Sequence, residues 1–270
     1  MARKLGKVYL IGAGPGDPQL LTLKAAKAIA TSDVIVYDYL VNPEILVHAR
    51  RGAELIYVGK RAGEHSISQS EINAILIERA GRGEMVARVK GGDPFIFGRG
   101  GEEAEALAEA NIEWEVIPGV SSGVAAAAYA GIPLTHRGYA SSVAFITGHE
   151  SDKDGRGLDW SALAHAADTL VVFMCAETIT TIAGRLVRAG RAASTPVAII
   201  RWGTYESCQE VYSTSLGALA RADEQSGDAA RIKFEPPAIA IIGSVVSLKE
   251  KLHWFGLPAI DIEQGEPVGA

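Results

Sequence analysis

Apolar residues fall into short runs separated by segments with apolar positions at helical spacing. Lys7 to Gly12, Asp33 to Tyr37, Glu54 to Val58, Met85 to Val89 and Trp114 to Ile117 read as strands. Between them the pattern predicts a helix over 20–30 and another opened by Asn42-Pro43. A third follows the capping box Ser68-Gln69-Ser70-Glu71, which precedes Ile72, Ile75 and Leu76 on one helical face. Further helices are predicted over Glu102 to Ala110 and over the alanine-rich stretch from Gly119 to Ala130. Strands alternating with helices indicate an α/β protein with a parallel sheet.

The rhythm breaks at Gly131-Ile132-Pro133-Leu134-Thr135-His136-Arg137-Gly138, which marks a domain boundary. The expected layout is an α/β domain over 1–137 and a second over 138–256. The second begins with a strand at Val143 to Thr147, followed by a polar insertion over 150–157. Strands at Thr169 to Met174 and Val197 to Ile200 flank a helix over Ile179 to Ala189. Gln209 to Thr214 follows a turn and not a helix, so an antiparallel strand is predicted there. Ala238 to Ile242 is the last strand and Val245 to Phe255 the last helix. The Gly/Pro/Glu-rich tail over 257–270 is expected to be flexible.

Composition narrows the function classes. No apolar run reaches the ~18 residues that a membrane-spanning helix needs. The apolar run behind the basic N-terminus stops at Gly12-Ala13-Gly14-Pro15, which reads as a first strand and not a signal peptide. Cys175 and Cys208 have no metal-like spacing, and the six histidines are scattered, so no metal site is expected. A cytoplasmic location follows. The net charge of −6 argues against nucleic-acid partners. Residues 50–99 nevertheless carry nine Lys/Arg against six Asp/Glu, a surplus compatible with an anionic small molecule or with solvated helix faces.

Candidate chemistry concentrates between Val89 and Glu103. Five of the thirty glycines lie here, with Pro94, the two basic groups Lys90 and Arg99, and three carboxylates. Glycine admits close approach of a ligand to the backbone, and Pro94 restrains Asp93 to extended geometry. A second loop, Gly12-Ala13-Gly14-Pro15-Gly16-Asp17-Pro18, lies between a strand and a helix, and Asp38 ends the next strand where a ribose-binding acid would sit. A dinucleotide reading fails on detail, however. Asp17 replaces the third glycine of the fingerprint, and Pro15 and Pro18 remove N–H groups that a pyrophosphate needs. A cofactor without phosphates and with a cationic part, such as S-adenosylmethionine, suits the loop better.

These two loops, together with Phe97-Gly98-Arg99-Gly100-Gly101-Glu102-Glu103 and Gly131-Ile132-Pro133-Leu134-Thr135-His136-Arg137, resemble the tetrapyrrole methylase family over about residues 5 to 255. Within the family they are most similar to members that methylate uroporphyrinogen III. The resemblance implies two α/β domains with mainly parallel sheets, the active site in the cleft between them, and a homodimer. It implies transfer of two methyl groups from S-adenosylmethionine to carbons 2 and 7 of uroporphyrinogen III. Precorrin-2 is the product, on the way to sirohaem, cobalamin or haem d1. Carried over by motif, the cofactor pocket comprises Pro15, Gly91, Gly92, Asp93, Ile96, Ser121, Ser122, Met174, Gly203 and Ala238. Without the resemblance, Met174 reads first as a core filler and Ser121 or Ser122 as a helix cap.

The implied substrate carries eight carboxylates and needs cations. Arg99, Arg137, His136 and Lys60 are the candidates, with Glu102 and Asp38 facing pyrrole N–H groups or orienting the arginines. Arg99 and Glu102 are the expected catalytic residues. The family favours the residue matching Arg99 as proton handler. A guanidinium is a poor base, so the same positions are equally compatible with Arg99 as binder and Glu102 or water as acceptor. Arg201-Trp202-Gly203-Thr204-Tyr205-Glu206-Ser207-Cys208-Gln209 is longer than the family's usual turn at the Gly203 contact. Alternatives from the same residues are a methylase of a later precorrin, diphthine synthase, and a non-catalytic ligand-binding protein.

Overall fold

The computed structural model describes residues 5–59, 67–149, 157–225 and 234–262. The chain divides into two compact units, Met1–Ser122 and Gly123–Ala270.

The first unit is built on five strands. β1 (Lys7–Gly12), β2 (Val34–Tyr37), β3 (Glu54–Tyr57), β4 (Met85–Lys90) and β5 (Glu113–Ile117) lie in the order β3-β2-β4-β1-β5. Every pairing is parallel. On one face, Val8, Leu10, Val36 and Val86 pack with Leu76 of α2 (Gln69–Gly81) and Leu107 of α3 (Gly100–Glu109). On the other, Ile11, Ile35, Ala87 and Val89 pack with Ile29 of α1 (Leu23–Thr31) and Ile45 of a 3-10 helix, Pro43–His48. The predicted capping box is present in full. Ser68 Oγ accepts from Glu71 N and the Glu71 carboxylate accepts from Ser68 N at 2.6 Å.

Lys7 sits 3.0 Å from Glu113 and 2.9 Å from Glu115 on the neighbouring strand, and Lys24 also pairs with Glu115. The hydrogen bond from Lys24, then that from Lys7, holds the Glu115 carboxyl down from the ordinary 4.5 to about 2. A depressed carboxyl pKa adds stability above the unfolded-state value and loses it as pH falls through the folded value. The Tm advantage of the natural chain over Glu115→Gln should therefore be constant above about 4.5 and shrink as pH falls toward about 2. It should also be small and salt-sensitive, because these side chains face solvent. Thermal melts across that range in low and high salt check both points.

In the second unit, α4 (Ser122–Tyr129) precedes β6 (Val143–Thr147), α5 (Trp160–Ala166), β7 (Thr169–Phe173) and α6 (Ile179–Arg188). β8 (Pro196–Arg201), β9 (Glu210–Ser215), α7 (Leu216–Gln225), β10 (Ala238–Ile242), α8 (Lys249–Leu252) and β11 (Ile260–Asp261) complete it. The sheet order is β11-β9-β8-β10-β7-β6. β6/β7 and β9/β11 are parallel, whereas β7/β10, β10/β8 and β8/β9 are antiparallel. The second sheet is therefore mixed, while only the first is parallel throughout. β9 is antiparallel as its turn predicts.

Three expectations change. The units divide at Ser122/Gly123 and not at 137/138, because α4 packs with the second sheet. Ala126, Ala127 and Ala130 join Val171, Phe173 and Ile200 in one core, and a Cβ on Gly123 would stand 2.5 Å from the Phe173 ring. The segment expected as one helix from Val245 to Phe255 is a 3-10 turn over Ser244–Leu248 followed by the single turn of α8. The described part of the tail is not loose. Ile260 and Asp261 pair with Tyr212 and Ser213, and Ile262 packs on the core. The rest of the tail and most of the polar insertion over 150–157 lie outside the described residues. α5 and α7 arise where the hydrophobic pattern predicted no element.

Candidate active site

Three loops meet at the C-terminal ends of β1, β4 and β5, the ligand-binding edge of an open α/β sheet. Ala13 N donates to Lys90 O at 2.7 Å. Gly14 and Gly92 form an isolated bridge, with N–H···O distances of 3.2 and 2.6 Å. Gly119 N donates to Asp93 Oδ2 at 3.1 Å, and Phe95 N to Asp93 Oδ1 at 2.9 Å. The backbones of Gly12, Gly92 and Gly119 touch. A Cβ on Gly12 would lie 2.7 Å from Gly92 O, and one on Gly119 would lie 2.7 Å from Gly12 C. Buried Asn42 holds the first loop from below, donating to Gly16 O at 2.7 Å.

This knot disposes of the dinucleotide reading. The N–H groups of Ala13 and Gly14 are engaged by Lys90 and Gly92, and Gln19 N by the Asp17 carboxylate that caps the next 3-10 turn. Pro15 and Pro18 have none. A pyrophosphate would find no ring of free donors.

Around the knot, Gly91, Gly92 and Asp93 lie beside Ser121 and Ser122. A Cβ on Gly92 would lie 3.5 Å from Ser122 N. Ser121 Oγ is buried and has no hydrogen-bond partner among the described residues, so it is not a helix cap. Pro15 is part-buried beside Gly14, and Ile96 is exposed at the turn beyond Pro94.

Farther along the same loop, Phe97 and Arg99 both have positive φ, 51° and 59°. A left-handed non-glycine residue costs ~1–2 kcal/mol, and such strain gathers where function requires it. Arg99 precedes α3 and forms a two-pronged pair with Glu102, Nε–Oε1 at 2.8 Å and Nη2–Oε2 at 2.7 Å, with both side chains about half exposed. The Glu102 hydrogen bond raises the Arg99 pKa above its already high ordinary value. Arg99 is thus a permanent cation with its fork oriented by Glu102. Asp38, just beyond β2, accepts from Leu40 N at 3.2 Å and from Arg88 Nη2 at 3.3 Å. Lys60 lies outside the described residues.

The surplus of basic groups over 50–99 is largely internal. Arg50 pairs with Asp33, Arg79 with Glu54 and Glu84, and Arg82 with Glu78. Arg50 and Arg82 are about half exposed, so for them the solvated-face reading holds, whereas the Arg79 side chain is largely buried. Residues that sequence reasoning passed over are Gly12, Gly119, Asn42, and the buried group Arg88, Lys90 and Glu103. The signal for the last was available. Two charges alternate along β4, a central strand of a parallel sheet, where both faces should be apolar.

In the second unit, Met174 follows β7 with φ 53° and is half exposed, which rules out a role as core filler. Ala238 is the buried first residue of β10. Gly203 follows β8 where a Cβ would stand 2.5 Å from Ala126 Cβ. The longer turn still closes, since buried Gln209 accepts from Thr204 N at 2.8 Å and its amide reaches Tyr129 O at 3.4 Å. His136 Nδ1 accepts from Gly138 N at 3.1 Å, and its ring stacks edge-on with Tyr139. Arg137 is exposed and makes no ion pair among the described residues.

A parallel sheet with a glycine knot at its C-terminal edge, followed by a mixed sheet, defines the class, and the comparisons identify it. The profile described as Tetrapyrrole (Corrin/Porphyrin) Methylases matches residues 7–220. The chain belongs to this family. It is 49% identical over 251 residues to a uroporphyrinogen-III C-methyltransferase of Bacillus subtilis, covering 93% of this chain and 95% of that one. It is 47% identical to a sirohaem synthase of Pseudoalteromonas translucida over 97% of this chain but only 54% of that protein. Among solved structures, the uroporphyrin-III C-methyltransferase of Thermus thermophilus complexed with S-adenosylhomocysteine is 37% identical. Its TM-score is 0.75, over 90% of this chain and 100% of that one.

The residues of the knot fit S-adenosylmethionine. They offer backbone groups, no phosphate cradle, and an orphaned hydroxyl at Ser121. An unpaired buried hydroxyl costs ~1–3 kcal/mol. Ser121→Ala should therefore raise the Tm of the free protein slightly. It should also shrink the Tm gain on adding S-adenosylhomocysteine, because the ligand loses a bond. Paired melts with and without ligand test this; a lower Tm for the free variant would show that the hydroxyl is already satisfied.

Proposed function

We propose that this chain is the S-adenosylmethionine-dependent methyltransferase that methylates uroporphyrinogen III at carbons 2 and 7 to give precorrin-2. The observation that carries the reading is one loop with two halves. Gly91 to Asp93 belongs to the glycine knot, and Phe97 to Glu103 presents a strained, exposed Arg99–Glu102 pair.

When bound, S-adenosylmethionine supplies an activated methyl group on sulfonium. The chain's own residues then have to bind, align and manage charge. Pro15, Gly91, Gly92, Asp93, Ile96, Ser121, Ser122, Met174, Gly203 and Ala238 are the proposed cofactor contacts. Arg99 binds a substrate carboxylate with its fork, and Glu102 orients it and accepts from a pyrrole N–H. With its pKa raised, Arg99 serves as a fixed positive charge and not as the base, so the proton leaving the macrocycle goes to Glu102 or water. Asp38, His136, Arg137 and Lys60 complete the substrate set. A cytoplasmic homodimer without membrane or nucleic-acid partners belongs to the same proposal. Among the described residues, no helix is long and apolar enough to cross a membrane.

Anaerobic incubation with uroporphyrinogen III and S-adenosylmethionine, followed by mass measurement, should show a product carrying two added methyl groups. An unchanged mass, with cofactor bound normally, would overturn the substrate assignment.

A further inference from the structure

The first sheet buries charge that the proposed chemistry does not touch. Arg88 and Lys90 share one face of β4 and are 3% and 4% exposed, and Glu103, in the first turn of α3, is fully buried. Glu103 Oε1 accepts from Arg88 Nε at 3.0 Å, Lys90 Nζ at 2.9 Å and Gln69 Nε2 at 3.2 Å. Its Oε2 has no hydrogen-bond partner among the described residues. Arg88 reaches further. Nη1 donates to Val89 O at 3.1 Å, and Nη2 to Asp38 Oδ2 at 3.3 Å.

Burying ions for stability alone is a poor device, since apolar side chains of similar volume do as well or better. Desolvation even pushes the Lys90 ammonium below the ordinary lysine range, against the pull of Glu103. What the group does achieve is geometric. It ties the end of β2, where Asp38 sits, through β4 to the first turn of α3, where Glu102 holds Arg99. Only a fork can make this link, because Arg88 bonds Glu103 through Nε and Asp38 through Nη2 at the same time.

We propose that Arg88, anchored by Glu103, is a positioning residue that sets the Asp38 carboxylate relative to the Arg99–Glu102 pair. This inference rests on the reading of Asp38 as a substrate-facing group. Lysine at position 88 keeps the charge but cannot hold both carboxylates.

The test is a double-mutant cycle on kcat/KM for uroporphyrinogen III with Arg88→Lys, Asp38→Asn and the double variant. Tm and S-adenosylhomocysteine affinity are measured for each. Arg88→Lys should lower kcat/KM at least about tenfold with both controls near those of the natural chain, and its effect should fall below about twofold in the Asp38→Asn background. A merely structural role for Arg88 predicts equal losses in both backgrounds, and that result would overturn the inference while leaving Asp38 its substrate role. Full activity of Asp38→Asn alone would defeat the substrate reading of Asp38 and the inference with it. Should Arg88→Lys not fold, Glu103→Gln, which keeps the shape and loosens the anchor, goes through the same cycle with the same criteria.

Discussion

Arg99→Ala should lower turnover by about 10²- to 10⁴-fold and leave S-adenosylhomocysteine affinity nearly unchanged. The magnitude follows from two charge-assisted hydrogen bonds to a substrate carboxylate at ~1.5–3 kcal/mol each, with every ~1.4 kcal/mol worth tenfold in rate. The effect on the free protein should be small. Glu102 loses its partner but is half exposed, and a solvent-facing pair contributes only ~0–1 kcal/mol. The left-handed backbone at position 99 also separates folding from function. Glycine adopts φ near 59° without strain, so Arg99→Gly should melt no lower than Arg99→Ala and be equally inactive. Steady-state rates beside a calorimetric titration of S-adenosylhomocysteine decide the matter. Equal loss of turnover and cofactor affinity would move Arg99 out of the substrate site.

Gly119→Ala should open the glycine knot with a single methyl group. Its Cβ would collide with the Gly92 carbonyl and stand 2.7 Å from Gly12 C, both backbone, where no side chain can swing aside. Gly92 is also paired with Gly14, so displacing it opens the bridge between the first two loops. Overpacking of this kind costs ~1–3 kcal/mol or more, and cofactor affinity should fall by about 10²-fold if each loop shift removes a hydrogen bond of ~1.5 kcal/mol. Gly81→Ala is the control. It ends α2 with nothing within 4 Å of the added methyl, and it should raise stability by up to ~1 kcal/mol. Native binding by Gly119→Ala, with Tm unchanged, would mean that the knot is not part of the cofactor site.

Much of the first unit was legible along the chain. Its strands are apolar runs spaced by helices, and parallel strands buried on both faces have that signature. The box at Ser68–Glu71 and the turn before β9 are local chemistry, and both appear as read. The second unit was less legible. β10 lies antiparallel between β8 and β7, yet its residues Ala238–Ile242 read no differently from a parallel core strand. Apolarity reports burial, not direction. The domain boundary misled for a related reason, since the alanines of α4 do not say which sheet they will cover.

The loop chemistry was determined by sequence alone. The prolines, glycines and Asp17 exclude a phosphate cradle because they act on their own peptide groups. Only the tertiary structure decided what each charge does. Within fifteen residues, Arg99 and Glu102 stand half exposed, whereas Lys90 and Glu103 are sealed with Arg88 beneath them. Nothing in their identity or spacing distinguishes the two pairs. Their burial depends on β2, α2 and α3 closing over β4, and those contacts join residues as far as about fifty positions apart, such as Asp38 and Arg88. Exposure sets whether a charge can meet a ligand, and exposure is a property of the packed chain.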